Sequence, residues 1–352
     1  MTVAKKVSVI GAGAIGAMFG GLIKYHLPGT EVVLIARGEH CRAMQQRGNV
    51  KLRGPWGQRD VSIAASSDPA AVAGSDVILF TVKTQDTVQT AEQFASYLGN
   101  AIVISLQNGI NQHLLAPTVG EERLLVGMTS TNMSIDQPGV VTCNRSGVSV
   151  IGPASDRVSA STVALAHRTL AASQLPIEVS ERILGAQYNK LLFNTMGYAS
   201  VLSATDFLRE GILDHDWRNQ VAIPILNEGL RVFEAANRSI ERVGGMSDVL
   251  RFRRMLQTFN LPGIQTLART MLRGPLRLPS LKFSVYQDLR RNRPTEIDYV
   301  NGEVVRLAND CSIEAPLNGQ VVRLVRELES ADQLTFFSRQ EIADRFRKIA
   351  GN

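Results

Sequence analysis

The feature that most constrains the fold is a glycine motif near the start of the chain. Residues 11–16 read Gly-Ala-Gly-Ala-Ile-Gly, directly after a β-branched run at 7–10 and before a stretch rich in small residues. This order predicts a strand, a tight turn at Gly11 and a helix that packs closely against the strand at Gly16. Gly13 would let a pyrophosphate approach the backbone. The alternative is a structural turn without a ligand. The predicted dinucleotide contacts are Gly11, Ala12, Gly13, Ala14, Ile15 and Gly16.

The composition is that of a globular protein. Hydrophobic residues make up 44% and charged residues 20% of the 352 positions, which is typical of one or two domains with sizeable cores. No stretch approaches the roughly 20 uninterrupted apolar residues that a membrane span needs, so we expect no membrane partner. The chain starts without a hydrophobic signal core, and Cys41, Cys143 and Cys311 show no paired spacing. We therefore expect a cytoplasmic protein with reduced thiols.

The charge distribution argues against nucleic acid as a partner. The net charge is +6, from 38 Lys and Arg against 32 Asp and Glu. The arginines are spread along the chain and are not gathered with aromatic residues in one basic stripe. An anionic small molecule accounts for the excess equally well. The five histidines show no metal-ligand spacing, so we expect no metal.

The first half of the chain predicts an α/β fold of Rossmann type. Short β-branched runs alternate with helix-like stretches, which is the pattern of a parallel sheet covered by helices. The runs lie at 7–10, 31–36, 76–82, 101–106 and 124–127. A hairpin is predicted next, with strands at 139–143 and 147–152 around a turn at 144–147. Residues 177–179 would form a last edge strand.

The second half predicts a mostly α-helical domain. From about residue 181 the hydrophobic pattern takes a helical period. The predicted helices lie at 183–200, 217–236, 248–259 and 299–309. We therefore expect a Rossmann-like domain over 1–182 and a helical domain over 183–352. The stretch 260–280 is rich in proline and glycine, and we expect it to be a loop.

Three polar residues follow predicted strands, at the edge where ligands of open α/β sheets bind. Arg37 follows the second strand, where an NAD site usually presents a carboxylate to the ribose hydroxyls. A guanidinium there favours the 2′-phosphate of NADP(H). Lys83 and Asn108 follow the next two strands. The alternatives are a surface arginine and ordinary turn residues.

The helical half carries two further groups of polar residues. Gln187, Lys190 and Asn194 share one face of the predicted helix, at spacings of three and four residues. That spacing alone is more typical of a solvated lysine than of a catalytic one. Farther on, Thr295 and the aspartate three residues later predict a helix start, with Glu296 complementing the dipole in its first turn.

Taken together, these motifs resemble the ketopantoate reductase family, the 2-dehydropantoate 2-reductases. The matching segments follow one another in order along nearly the whole chain, and the last two are much more specific than the glycine loop. They are residues 11–16, Ala36-Arg37-Gly38, Val82-Lys83, Gln107-Asn108-Gly109, Lys190-Leu191 with Asn194, Ser284 with Gln287-Asp288, and Thr295-Glu296-Ile297-Asp298-Tyr299 with Asn301-Gly302.

The resemblance implies an NADPH-dependent reduction of a 2-oxo acid to its 2-hydroxy acid, in a cleft between a Rossmann domain and a helical domain. Lys190 would be the general acid, because a positioned ammonium stabilises the charge growing on the carbonyl oxygen and supplies the proton. Burial would lower its pKa, and a carboxylate such as Glu296 would raise it. Glu296 would lie beside the nicotinamide end of the cofactor and the lysine.

The resemblance also implies binding roles for other residues. Asn108 and Asn194 would orient substrate and cofactor, and Ser284 would help to hold the substrate carboxylate. Lys83 would contact the cofactor, as would the segment around Asn132 through its backbone.

Three features depart from the family pattern. Tyr198 and Leu281 stand where asparagines that recognise the pantoate hydroxyls are usual, and the interval from Lys190 to Ser284 is long, through the region 243–279. Each missing partner for a buried hydroxyl would cost about 1–3 kcal/mol. A bulkier or more apolar 2-oxo acid is therefore an alternative substrate.

A protein of another class is also compatible with the glycine motif, namely a sensor that binds NADPH without turnover. Retention of both Lys190 and Glu296 argues against it, since a binding module needs neither an acid nor its partner. The sequence leaves the oligomeric state open between a monomer and a homodimer through the helical domain.

Overall fold

The structure, a computed structural model, describes residues 3–242, 248–273 and 280–350. Two parts of the long region 243–279, at 243–247 and 274–279, thus lie outside the described residues. The chain divides into two compact units, the first ending at Gln187 and the second beginning at Tyr188. No described helix is both long enough and apolar enough to cross a membrane.

The secondary structure of the described residues alternates between strands and helices at first and is then almost wholly helical. The strands are β1 (Lys6–Ile10), β2 (Glu31–Ile35), β3 (Asn49–Gly54), β4 (Gly57–Ser62), β5 (Ala64–Ser66), β6 (Val77–Phe80), β7 (Ile102–Ser105), β8 (Leu124–Thr129), β9 (Asn132–Gln137), β10 (Val140–Arg145), β11 (Ser149–Pro153) and β12 (Ile177–Val179). The helices are α1 (Ala14–His26), α2 (Gly38–Arg47), α3 (Thr87–Phe94), α4 (Gln112–Val119), α5 (Ala160–Ala171), α6 (Ile183–Val201), α7 (His215–Trp217), α8 (Ile223–Ala235), α9 (Val249–Thr258), α10 (Ile264–Arg273), α11 (Ser284–Arg290), α12 (Asn301–Asp310), α13 (Pro316–Ser330) and α14 (Arg339–Ala350).

The main sheet of the first unit contains all the predicted parallel strands. Its strand order is β12-β11-β8-β7-β6-β1-β2-β5. The neighbours from β8 to β5 are parallel, while β11 runs antiparallel to β8. Val9, Leu34 and Leu79 are adjacent in register and fully buried, which explains the continuous apolar runs in the sequence. The predicted Rossmann-type fold is confirmed, including the edge strand at 177–179.

A second sheet, which the sequence did not predict, has the order β4-β3-β10-β9. The predicted hairpin of 139–143 with 147–152 is wrong, because β10 pairs with β9 and β11 pairs with β8 in the main sheet. The chain leaves the main sheet after β8 and returns to it after β10. These two crossings bond to each other, since Thr131 Oγ1 donates to the Gly147 carbonyl at 2.8 Å. The segments that form β8, β9, β10 and β11 all contain β-prone residues, so the local sequence pattern does not reveal which of these strands pair.

Helix α1 packs against residues of both sheets. Its Phe19 and Leu22 belong to one buried cluster with Val9 of the main sheet and with Val50 and Leu52 of the second. This packing fixes the start of α1, and with it the glycine loop, at the carboxyl end of β1.

The second unit is mostly helical, as predicted. The helices predicted at 183–200, 248–259 and 299–309 are confirmed as α6, α9 and α12. The predicted helix 217–236 is divided, since a π-helical segment, Arg218–Ala222, joins α7 to α8.

The prediction of a loop over 260–280 is wrong in part, because α10 lies within it. Gly263 has a φ of +79° and directly precedes this helix, so proline and glycine stand before its first turn and do not interrupt it. Helices α11, α13 and α14 are further elements that the sequence did not predict. Helix α13 begins at Pro316, whose fixed φ suits the first helical position.

Candidate active site

The glycine loop follows β1 as predicted and is held by the two strands that flank β1. Gly11 has a φ of +83°, and the N–H groups of Gly11 and Ala12 donate to the Ile35 carbonyl at 3.1 and 2.7 Å. Thr81, a residue that the sequence did not single out, donates its hydroxyl to the Gly11 carbonyl at 2.8 Å. A Cβ on Gly11 would lie 2.5 Å from Val82 Cγ1. The course of the loop therefore requires glycine at this position.

The other two glycines of the motif differ in their surroundings. A Cβ on Gly16 would lie 2.6 Å from Val9 Cγ1, so the missing side chain lets α1 pack against β1. A Cβ on Gly13 would meet no heavy atom closer than 3.8 Å. Packing thus explains Gly16, whereas Gly13 borders open space where a pyrophosphate would approach.

The N-terminus of α1 suits an anion. Its N-cap residue is Gly13, which has no side chain to accept a backbone N–H, and the first turn contains no acidic residue. The backbone N–H groups of Ala14, Ile15 and Gly16 lie in the first turn, where an α-helix offers no internal acceptor. The helix dipole adds partial positive charge there. These residues therefore fit the pyrophosphate of a dinucleotide.

Two cationic residues lie after the strands on either side of β1. Arg37 follows β2 as the N-cap of α2, and its side chain is 75% exposed. Lys83 follows β6, is half-buried and precedes the 3₁₀ turn Thr84–Asp86. Arg37 Nη2 lies 3.2 Å from Asp86 Oδ2. This ion pair could not be predicted from the sequence, because Arg37 and Asp86 come from separate loops.

Asn108 lies in a hydrogen-bonded network that joins the loops after β6 and β7. Its carbonyl accepts from Thr84 Oγ1 at 2.9 Å and from Asn111 Nδ2 at 2.6 Å. The buried Gln107 side chain donates to the Val82 carbonyl at 3.0 Å. The network fixes the loop that carries the Asn108 side chain. The Gln-Asn-Gly motif indicated this loop, but Thr84 and Asn111 look like ordinary loop residues in the sequence.

Asn132 lies on the second sheet, at the start of β9. Its side chain is exposed, and Oδ1 accepts a hydrogen bond from Asn144 Nδ2 at 2.9 Å. Strand β9 begins shortly after β8 ends at Thr129. The Asn132 amide is thus hydrogen-bonded within the second sheet.

In the second unit, Lys190, Asn194 and Tyr198 lie four residues apart on α6 and so share one face. Burial lowers the pKa of Lys190 to about 8, and the carboxylate of Glu296 acts in the opposite direction. Asn194 is half-buried one turn beyond the lysine. The third predicted residue of this face, Gln187, lies in the first unit, where Nε2 donates to the Gly127 carbonyl at 3.4 Å.

Glu296 is a buried carboxylate, only 3% exposed. The prediction that Thr295 and Asp298 start a helix is wrong, because Ile297–Tyr299 is a 3₁₀ turn and α12 begins later. Thr295 Oγ1 accepts from the Ile297 N–H at 3.3 Å. Glu296 therefore does not lie on an exposed first turn, and its charge acts on Lys190 instead.

Ser284 is the first residue of α11, and an aromatic contact sets its position. The ring of Phe283 lies against α6 where Gly197 leaves room, since a Cβ on Gly197 would overlap it. Tyr198 meets the Phe283 ring edge-on, with centroids 6.4 Å apart, and its hydroxyl neighbours Ser284. Burial, and next the charge of Glu296, raises the pKa of Tyr198 far above its usual range, so the phenol stays protonated.

The segment before Ser284 is tied down through its backbone. The Leu281 N–H donates to Asp206 Oδ2 at 3.2 Å, and the Leu281 carbonyl accepts from the Phe207 N–H at 3.0 Å. Ser280 Oγ donates to the same carboxylate at 2.5 Å. The departure at position 281 thus leaves a fixed backbone with an apolar side chain.

Both halves of the chain match sequence models of one family. The model described as ketopantoate reductase PanE/ApbA matches residues 7–156, and the model of its C-terminal part matches residues 182–329. The chain belongs to the ketopantoate reductase family. It is accordingly an oxidoreductase.

Curated relatives support the same family over nearly the whole chain. A 2-dehydropantoate 2-reductase from Pyrococcus horikoshii is 28% identical over 328 residues, which are 92% of this chain and 98% of the relative. The enzyme of that name from Halobacterium salinarum is 28% identical over 327 residues, 91% and 98% of the two chains.

Solved structures agree with the fold. A ketopantoate reductase from Ralstonia eutropha has a TM-score of 0.76 and 28% identity, and the match covers 92% of this chain and 98% of that one. A D-mandelate dehydrogenase in complex with NADH and anilino(oxo)acetate has a TM-score of 0.75 at 22% identity, over 92% and 98% of the two chains. This second likeness shows the shared fold. Among the described residues, no cluster of three or more His, Cys, Asp or Glu side chains could hold a metal ion.

Proposed function

We propose that the protein reduces a 2-oxo acid to a 2-hydroxy acid with NADPH, and that 2-dehydropantoate is its substrate. The observation that carries the proposal is the pairing of Lys190 with the buried Glu296. A lysine with a pKa of about 8 both holds and releases a proton near neutral pH. The relatives named for this reaction favour 2-dehydropantoate. Residues 1–182 would hold the cofactor, and residues 183–352 would supply the acid.

In this proposal Lys190 is the proton donor. NADPH, when bound, supplies the hydride that reduces the carbonyl carbon. Lys190 Nζ donates a proton to the carbonyl oxygen as negative charge develops there. The Glu296 carboxylate raises the pKa of Lys190 against the larger effect of burial, which keeps the ammonium populated at neutral pH.

The cofactor is assigned to the first unit. The glycine loop and the uncapped start of α1 suit the pyrophosphate, and the exposed guanidinium of Arg37 suits the 2′-phosphate that only NADP(H) carries. Lys83, Asn108 and the backbone near Asn132 would make the remaining contacts.

The substrate is assigned to the face of α6 that carries Lys190. Asn194 would orient the 2-oxo acid, and Ser284 would hold its carboxylate. The buried Tyr198 hydroxyl neighbours Ser284, so Tyr198 would help to set the direction in which the serine hydroxyl points.

A bulkier or more apolar 2-oxo acid is the second candidate substrate. Phe193, beside Asn194 on α6, packs against Phe252 and Phe207 with ring centroids 5.1 and 5.4 Å away. Tyr198 and Leu281 further replace two expected amide side chains by an aromatic and an aliphatic one. The chemistry at Lys190 would be unchanged.

The test is NADPH oxidation by the purified protein against a panel of 2-oxo acids, with NADH in parallel. We expect kcat/KM to be at least about tenfold higher for 2-dehydropantoate than for phenylglyoxylate or 2-oxoisovalerate. Preference for phenylglyoxylate would select the second candidate. Binding of NADPH without turnover of any acid would contradict the proposal and favour the sensor.

The proposed location is the cytoplasm, and it rests on the thiols. Cys41, Cys143 and Cys311 are all free in the structure. Free thiols are typical of a reducing compartment.

A further inference from the structure

The ion pair of Arg37 and Asp86 spans the strand that leads into the glycine loop. Arg37 follows β2, and Asp86 lies in the loop between β6 and α3. Strand β1 lies between β2 and β6 in the sheet. A pair that joins the loops after β2 and β6 therefore passes over the carboxyl end of β1, beside residues 11–16.

The local fold does not account for Asp86. It is the N-cap of α3, a position where aspartate usually accepts a backbone N–H of the first turn, yet it makes no side-chain cap. Its carboxylate reaches Arg37 instead, at 3.2 Å. The side chains of Arg37 and Asp86 are 75% and 42% exposed, and ion pairs so exposed to water contribute little to stability.

We propose that Asp86 limits the preference of this protein for NADPH over NADH, by competing with the 2′-phosphate for Arg37. The inference rests on the proposed function, in which Arg37 binds that phosphate. A 2′-phosphate that binds the guanidinium must displace Asp86 or share the guanidinium with it. The Asp86 carboxylate also repels the phosphate. The ribose 2′-hydroxyl of NADH can instead donate a hydrogen bond to the carboxylate. Arg37 and Asp86 thus act on cofactor choice in opposite directions.

The charges in these loops predict a moderate preference for NADPH over NADH. Lys83 lies three residues before Asp86 in the same loop, so a second cation and the carboxylate both come from the loop after β6. The cations favour NADPH, and the carboxylate sets a limit on how strongly they do so. We therefore expect the unmodified protein to bind both cofactors, with NADPH preferred.

Asp86→Asn tests the proposal through the binding of two nucleotide fragments. By isothermal titration calorimetry on the full chain, 2′,5′-ADP reports the 2′-phosphate and 5′-ADP reports the site without it. We expect Asp86→Asn to tighten 2′,5′-ADP about five- to tenfold and to leave 5′-ADP unchanged or weaker. Glu92→Gln is the matched control, since Glu92 is exposed on the same helix and its removal changes the net charge equally. It should change the binding of either fragment by less than about twofold.

A double variant shows whether the effect acts through Arg37. If the carboxylate competes for the guanidinium, Asp86→Asn should tighten 2′,5′-ADP less in an Arg37→Ala background than in the unmodified protein. Equal effects of Asp86→Asn and Glu92→Gln, or equal tightening of both fragments, would overturn the inference and leave the proposed function intact. Failure of the unmodified protein to bind either fragment would overturn the proposed function and the inference with it.

Discussion

Lys190 is the residue on which the proposed chemistry depends, and in that proposal its protonation would set the pH range of activity. Burial lowers its pKa to about 8. A general acid must be protonated, so the rate of reduction falls as pH rises through that pKa. We expect kcat/KM for the 2-oxo acid to be level near neutrality and to fall about tenfold per pH unit well above 8. Lys190→Ala should lower kcat by about 10²- to 10⁴-fold.

Glu296 should move that pH limb in a known direction. The carboxylate raises the pKa of Lys190, so Glu296→Gln removes a stabilising influence on the ammonium and should shift the limb to lower pH. Glu327→Gln, an exposed position on α13 of the same unit, is the control and should leave the profile in place. The measurement is kcat/KM against pH. An unchanged profile in Glu296→Gln would show that Glu296 does not affect the protonation of Lys190.

Tyr198 should act on substrate binding rather than on the chemical step. Tyr198→Phe removes the hydroxyl that neighbours Ser284 while keeping the ring on Phe283. We expect KM for the 2-oxo acid to rise about five- to thirtyfold, the effect of losing about 1–2 kcal/mol, with kcat nearly unchanged. Tyr188→Phe on the same helix, where the ring packs on Phe233, is the control. Similar kinetics for both variants would contradict the role of Tyr198.

At the scale of elements, the glycine loop separates fold from function within one motif. Gly16→Ala would force a Cβ to within 2.6 Å of Val9 Cγ1 and should lower the free energy of unfolding by about 1–3 kcal/mol. Gly13→Ala meets nothing closer than 3.8 Å, so stability should change by less than about 1 kcal/mol while NADPH binding weakens at least about tenfold. Urea unfolding and fluorescence titration measure the two effects. A loss of stability in Gly13→Ala equal to that in Gly16→Ala would refute the distinction.

The central strands of the main sheet could be predicted from the sequence because they are buried on both faces and read as continuous apolar runs. The second sheet could not, since its pairing depends on which β-prone segments meet and local pattern does not record that. The same limit holds at the site. The glycine loop after β1 could be predicted from its motif, and the roles of Lys83 and Lys190 stay predictions. The contact of Arg37 with Asp86 could not be predicted, because it joins residues from separate loops.

On the scale of the whole molecule, cofactor binding and catalysis should be separable by stability. A ligand that binds the folded state at 100 times its Kd stabilises it by about 2.7 kcal/mol, so NADPH should raise the unfolding temperature of the unmodified protein. Lys190→Ala should show the same rise, because the lysine is assigned to the substrate and not to the cofactor. Thermal unfolding followed by circular dichroism measures both, and loss of the NADPH effect in Lys190→Ala would show that the lysine binds the cofactor.

Hydride transfer to the carbonyl carbon is the central claim, and an isotope label tests it most directly. The protein is incubated with NADPH carrying deuterium at both positions of C4 and with 2-dehydropantoate, and the product is analysed by mass spectrometry. We expect pantoate with one deuterium at C2 from the unmodified protein, and at least about a hundredfold less from Lys190→Ala. Binding of both ligands with no labelled hydroxy acid formed would contradict the proposed enzyme and identify a sensor.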